Sequence, residues 1–175
     1  GVKYIEIDIC KKEDFTLLPC ENVEACVLLA ALLPANDDAD LQTSDHAEDY
    51  IAVNTLGTIY LLEYCRRNGI KKVISTTSYA DVYGQWSETL PFSENTPRDF
   101  SYTGDHCEYI ISKNAATDFL IYYNNQYHMQ NIIFRLPPVY GVGPHGFLKE
   151  NGTVRKSGIQ IFMEKAKEGL PITIY

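Results

Sequence analysis

The sequence predicts an α/β fold built on a mostly parallel sheet, and three observations carry that prediction. Apolar runs of strand length alternate with helical stretches of ten or more residues, the pattern of successive β-α-β units with right-handed crossovers. The run "ACVLLAALL" (25–33) is continuously apolar, as a parallel strand covered on both faces must be. A chain of 175 residues that is 45% apolar can bury one core, so a single domain is expected.

The elements follow in order. "VKYIEIDI" (2–9) alternates with period two, which predicts a strand over 2–7 ending at Asp8. "KKEDFTLLP" is a short helical turn that Pro19 stops, and 25–30 is the second strand. "PANDDADLQTSD" (34–45) reads as an acidic loop, its "DDAD" a solvated face and not a cation site. From His46 to Asn68 the residues Tyr50, Ile51, Leu61, Leu62 and Cys65 share one helical face, and Gly69 supplies the C-cap. "IKKVIST" is a strand, followed by a polar loop with Pro91 and Pro97 in which Trp86 and Glu94 read as loop packing. A helix over about 105–126, the strand "QNIIFRL", a Gly/Pro-rich loop (137–158), the helix "GIQIFMEKAKEG" and the strand "ITIY" complete the chain.

Composition excludes several functions. The net charge is −8 with a pI near 4.9, and such a surface repels phosphate backbones and anionic membranes, so neither nucleic acid nor a membrane is an expected partner. A small anionic ligand held by local dipoles remains compatible. Cysteines 10, 20, 26, 65 and 107 are odd in number and form no CxxC, which suits reduced, mostly buried thiols in a cytoplasm. His46, His106, His128 and His145 are scattered without metal-ligand spacing, so no metal site is expected. The sequence has no apolar span of 18 residues, and "NGT" at Asn151 reads as a chance sequon.

In open parallel sheets ligands bind beyond the carboxyl ends of the strands. The residues there are Asp8, Ala30–Ala31, Thr77–Ser78 and Pro137–Pro138. On the helix "HCEYIISKNAATDFLIYYNN", Tyr109 and Lys113 lie four apart and therefore on one side. A nearby ammonium stabilises a phenolate and draws its pKa down from about 10 toward neutrality. Such a tyrosinate can take the proton of a substrate hydroxyl while the carbon gives hydride to a cofactor. Alone, YxxxK also arises by chance, with Tyr at the core edge and Lys in solvent. Here "KKVISTTSYADVYG" adds hydroxyls directly after a strand, where one could share that proton.

Five stretches, "YIEIDI", "VLLAALLP", "NTLGTIYLLEYCRRNGIKKVISTTSYADVYG", "EYIISK" and "RLPPVYGVGP", together cover nearly the whole chain. In this order they resemble the extended short-chain dehydrogenase/reductase family, specifically its NAD-dependent nucleotide-sugar epimerase/dehydratase group. The resemblance implies a Rossmann-like sheet and a cofactor, NAD or NADP. It implies that Asp8 and Ile9 meet adenine, that Ala30 and Ala31 lie against ribose and pyrophosphate, and that Pro137 packs beside nicotinamide. By the same resemblance Tyr109 is the base, Lys113 its partner and ribose ligand, and Asn54 and Pro138 lie at the substrate. The family's catalytic hydroxyl, counted back from Tyr83, falls on Tyr79; counted forward from the strand it falls on Ser78 or Thr77, and Ser78 is preferred. Leu28 stands where the family often has histidine, and Pro138 where many members bind substrate with asparagine.

The family opens with a strand, a glycine-rich turn and a helix whose amides hold pyrophosphate, and nothing here matches it. Residues 1–175 are thus expected to be an incomplete NAD(P)-binding domain lacking its first βαβ unit and most of its substrate domain, with weak or no NAD binding. The strand 2–7 would then pair directly with 25–30, or a second copy would fill the gap. The implied function is transient hydride transfer on a nucleotide sugar, epimerisation favoured over dehydration because only Asp81 resembles a dehydratase acid. A non-catalytic dinucleotide-sensing or scaffold domain, or a reductase of the same family, stays open. Relatives often pair through helices near 47–67 and 106–126, so a homodimer is compatible.

Overall fold

The computed structural model describes residues 1–34, 47–87, 91–104, 107–139, 156 and 158–172. The chain divides into two compact units, Gly1–Ala35 with Ala39–Pro137, and Asn36–Asp38 with Pro138–Tyr175.

The first unit holds a three-stranded parallel sheet in the order β1 (Cys26–Leu28), β2 (Val73–Ser78), β3 (Ile132–Leu136). Cys26 pairs with Val73, Ile74 with Ile132, and Ser78 with Leu136. A 3-10 turn, Lys12–Leu17, precedes β1. Between β1 and β2 a helical run passes from α1 (Ala47–Tyr50) through a π-helical stretch, Ile51–Leu56, into α2 (Gly57–Arg67). A second 3-10 turn, Tyr79–Gln85, follows β2, and α3 (Cys107–Tyr127) precedes β3.

Leu61, Leu62 and Cys65 of α2 and Leu120 and Tyr123 of α3 bury one face of the sheet against Leu28 and Val73. Burial of large side chains on that scale, roughly 1.5–3 kcal/mol each, is what holds sheet and helices together. Gly69, at φ +72°, ends the α2 segment as the sequence predicts. His128 takes the same left-handed backbone at φ 54° and ends α3. Asn131 then fastens three elements. Its side-chain oxygen accepts from Val73 N–H at 3.0 Å, its amide donates to Leu120 C=O at 3.1 Å, and its main chain pairs with the Asn124 side chain at 2.7 and 3.0 Å.

Several expectations are corrected. Residues 2–9 form no strand, so they do not pair with 25–30. The alternation is nonetheless real: Ile5, Ile7 and Ile9 are half-buried between exposed neighbours, and Ile7 and Ile9 lean on the core. Period two selects a face, but a ladder needs a partner strand. The second strand is only Cys26–Leu28 and is covered on one face, since Val27 is 61% exposed. Ile51 is exposed, unlike the rest of its predicted face, because the π stretch changes the angular step along the helix. Only Cys65 of the five cysteines is fully buried, although all are free. The loop at 35–46 and the end of "ITIY" lie outside the described residues.

In the second unit α4 (Gly158–Lys167) is the described element, with Lys156 paired to Glu164 at 2.6 Å. Among the described residues no helix is long and apolar enough to cross a membrane.

Replacing Asn131 by Ala leaves the buried Val73 N–H and Leu120 C=O without these partners, which should lower stability by about 1–3 kcal/mol. A denaturant titration checks it, and an unchanged midpoint would contradict the role given to Asn131.

Candidate active site

Parallel strands end on the same side, so Ala30–Ala31, Ser78 and Pro137 follow β1, β2 and β3 along one edge of the sheet. Ile9 packs against α2 so closely that a β-carbon on Gly57 would come within 2.7 Å of it. That approach is why the helix carries glycine there. Asp8 is exposed; its carboxylate accepts from Cys10 N–H at 2.9 Å and pairs with Lys11 at 3.4 Å. The Cys10 amide, more than Lys11, holds its pKa below the ordinary carboxylate value.

The π stretch turns Asn54 inward, 2% exposed. Its oxygen accepts from Leu32 N–H at 2.8 Å, and its amide donates to Leu32 C=O at 3.1 Å and Ser112 Oγ at 3.0 Å. Ser112 in turn donates to Tyr109 C=O at 2.8 Å, and Thr55 Oγ1 donates to Ser112 C=O at 3.0 Å. The widened turn stays satisfied because Thr58 Oγ1 donates to Asn54 C=O at 2.7 Å. Asn54 therefore clamps the segment after β1 to the first turns of α3. Its amide is engaged by protein on both ends.

Tyr109 is half-buried, its ring edge-on to the buried Tyr50 at 6.3 Å. Ser78 Oγ accepts from Ala80 N–H at 3.2 Å. Burial raises the Tyr109 phenol above its usual value of 10.0, and the nearby Ser78 hydroxyl opposes that rise. Lys113 is 7% exposed, and burial pushes its ammonium below its usual 10.5. Burial is the largest influence on both groups and favours their neutral forms.

Of the three hydroxyl candidates, Ser78 is the one whose side chain acts on the ionisation of Tyr109. Thr77 is turned to the opposite side of β2, 6% exposed, with no partner for its hydroxyl among the described residues. Tyr79 stacks edge-on against Tyr83 at 5.8 Å. Asp81 is 2% exposed and sits against Arg135, with Nε 3.0 Å from Oδ1 and an Nη donating to Oδ2 at 3.2 Å; Arg98 lies 4.0 Å away. A carboxylate so paired is a structural anchor and not a free acid.

A cavity of about 570 Å³ is lined among others by Tyr79, Ala80, Tyr83, Phe100, Cys107 and Ile110, sequence neighbours of Ser78 and Tyr109 but not those residues themselves. Trp86 and Glu94 do not line it. Pro137 is exposed at the end of β3, and Pro138 opens the second unit. Sequence reading missed Ser112, whose signal was a hydroxyl inside the apolar "YIISK", and missed Phe100 and Cys107 on the approach to α3.

The reacting end fits a dinucleotide: a buried ammonium, without a carboxylate partner among the described residues, sits one helical turn from a phenol with a serine hydroxyl nearby. The pyrophosphate end fits less well, since no described residue forms a glycine-rich turn at a helix start. Among the described residues no group of three or more His, Cys, Asp or Glu could hold a metal ion.

A three-stranded parallel sheet backed by helices, with its polar cluster at the carboxyl edge, defines a Rossmann-like α/β protein. Over residues 1–175 it matches the NAD dependent epimerase/dehydratase family, and the chain belongs to that family. It is 27% identical over 139 residues to a putative UDP-glucose 4-epimerase of Methanocaldococcus jannaschii, covering 79% of this chain and 42% of that protein. It is 29% identical over 146 residues to UDP-glucose 4-epimerase of Mycolicibacterium smegmatis, covering 82% and 43%. The crystal structure of Thermus thermophilus UDP-glucose 4-epimerase in complex with NAD superposes with a TM-score of 0.65 at 27% identity, over 97% of this chain and 50% of that one. The Thermotoga maritima enzyme with UDP-glucose, at 22% identity and a TM-score of 0.69, shares the fold. The chain spans less than half the length of the curated relatives it matches.

Removing the Ser78 hydroxyl leaves burial unopposed, so Ser78→Ala should move Tyr109 ionisation further above 10.0. Ultraviolet difference titration against Tyr109→Phe reads it; an unchanged or lower midpoint would contradict the influence of Ser78 on Tyr109.

Proposed function

We propose that the protein is an NAD-dependent nucleotide-sugar epimerase acting on a UDP-sugar by transient oxidation at a hydroxyl-bearing carbon. The observation that carries it is the Ser78 hydroxyl near the Tyr109 phenol, one helical turn from buried Lys113. Tyr109 takes the proton of the sugar hydroxyl, and Ser78 holds the same oxygen and shares that proton. Lys113, without an anionic partner among the described residues, is suited to the ribose hydroxyls of the cofactor and to a phenolate forming beside it. The other contacts would be Asp8 and Ile9 with adenine, Ala30 and Ala31 with ribose and pyrophosphate, and Pro137 with nicotinamide. NAD, when bound, supplies the hydride acceptor and returns the hydride. Pro138 borders the sugar.

Epimerisation is favoured over dehydration because Asp81 is held by arginines and has no free carboxylate to offer as an acid. The UDP-sugar is suggested by the names of the relatives. Exposed Ile111, Phe119 and Tyr122 share one side of α3 and suit a second copy of the chain. Five free thiols suit a cytoplasmic setting. The missing glycine turn favours weak NAD binding by residues 1–175 alone, and on that ground a dinucleotide-sensing or scaffold role is the second reading.

With NAD and UDP-glucose, nuclear magnetic resonance should detect inversion at a sugar carbon, and Tyr109→Phe should slow it at least about 100-fold, the scale of a lost general base. Equal rates in the two proteins would eliminate the catalytic role of Tyr109. No turnover in either would favour the sensing role, for which calorimetry with NAD is the readout.

A further inference from the structure

Away from the candidate active site, two free cysteines meet between the sheet and its covering helix. Cys26 opens β1 and Cys65 lies on α2, 39 positions later, with their sulfurs 3.5 Å apart. Cys65 is fully buried in the core, and its thiol donates to the sulfur of Cys26. Cys26 is half-buried, so a small oxidant can reach it first. A disulfide needs about 2.0 Å between sulfurs, so closure asks for side-chain rotation on the order of an ångström.

We propose that Cys26 and Cys65 form a reversible disulfide, made by hydrogen peroxide and undone by thiols, that locks β1 to α2. The hydrogen bond from Cys65 favours the Cys26 thiolate and at the same time keeps Cys65 a thiol. That division suits an attacking and a resolving cysteine. The Cys26 sulfur attacks one peroxide oxygen, forming an S–O bond and breaking O–O, and hydroxide leaves. The Cys65 sulfur then attacks Cys26; S–S forms, S–O breaks, and the second hydroxide leaves with the Cys65 proton as water. Two electrons pass from the sulfurs to peroxide, which with the two thiol protons becomes two waters.

The placement gives the bond a consequence. Strand and helix are already joined at their other ends by Leu32 and Asn54, whose clamp lies within the loop the disulfide would close. The disulfide is a second rung on the same strand–helix pair, and it stiffens the elements that carry the Asn54 clamp without touching Tyr109 or Ser78. Closing a loop of this length restricts the unfolded chain.

Purified protein is treated with hydrogen peroxide, its remaining thiols are blocked under denaturing conditions, and unreduced peptides are read by mass spectrometry. The expected product joins the Cys26 and Cys65 peptides, is lighter by two hydrogens than their sum, reverts with dithiothreitol, and persists in Cys20→Ser. The thermal midpoint should rise on oxidation and return on reduction. Cys65→Ser removes a core group and could fail to fold, so the wild-type peptide mapping carries the test. Recovery of both residues as blocked thiols, or a cross-link that uses exposed Cys20 instead, would overturn the pair. A cross-link without a shift of the midpoint would overturn the lock.

Discussion

The site rests on one buried amide. Asn54 joins the segment after β1 to α3, and through Ser112 it fixes the main chain of Tyr109. The site draws on different elements, Ser78 at the end of β2 and Tyr109 on the first turns of α3, and the clamp fixes the α3 side. A buried polar side chain is tolerable only when its hydrogen bonds are made, and here both ends are. The helix widens to π at Asn54 so that this side chain can face inward, and Thr58 satisfies the carbonyl that the widening frees.

The chemistry follows from burial around that frame. Tyr109 and Lys113 share a side of α3 in a poorly solvated place, and desolvation pushes each toward its neutral form. A phenol that keeps its proton until a ligand arrives is a base in waiting. Ser78 supplies the one opposing influence, because a donor at the phenol oxygen stabilises the anion.

Much of this was legible in the residues, and what was not has physical causes. The order of β1, β2 and β3, the helices around them and the YxxxK spacing followed from periodicity and run length, which report local geometry. Ser78 could be preferred over Thr77 by counting from the strand, and alternation along β2 explains why only one of the two can face Tyr109. The strand over 2–9 was misread because alternation reports which side is buried, not whether a neighbour exists to pair with. The π stretch was invisible, since nothing in "IAVNTL" alters the apolar pattern enough to announce a change of pitch. Asp81 looked like an acid in sequence and became an anchor only when Arg135, 54 positions away, came into view.

The clamp is open to direct measurement by native-state hydrogen exchange at the Leu32 amide. A side-chain hydrogen bond from a residue this deeply buried should protect that amide to nearly the level of the β2 core, opening only with much of the first unit. Exchange of Leu32 at the rate of a free loop would mean that Asn54 does not hold the segment, and its support for the main chain of Tyr109 would be gone.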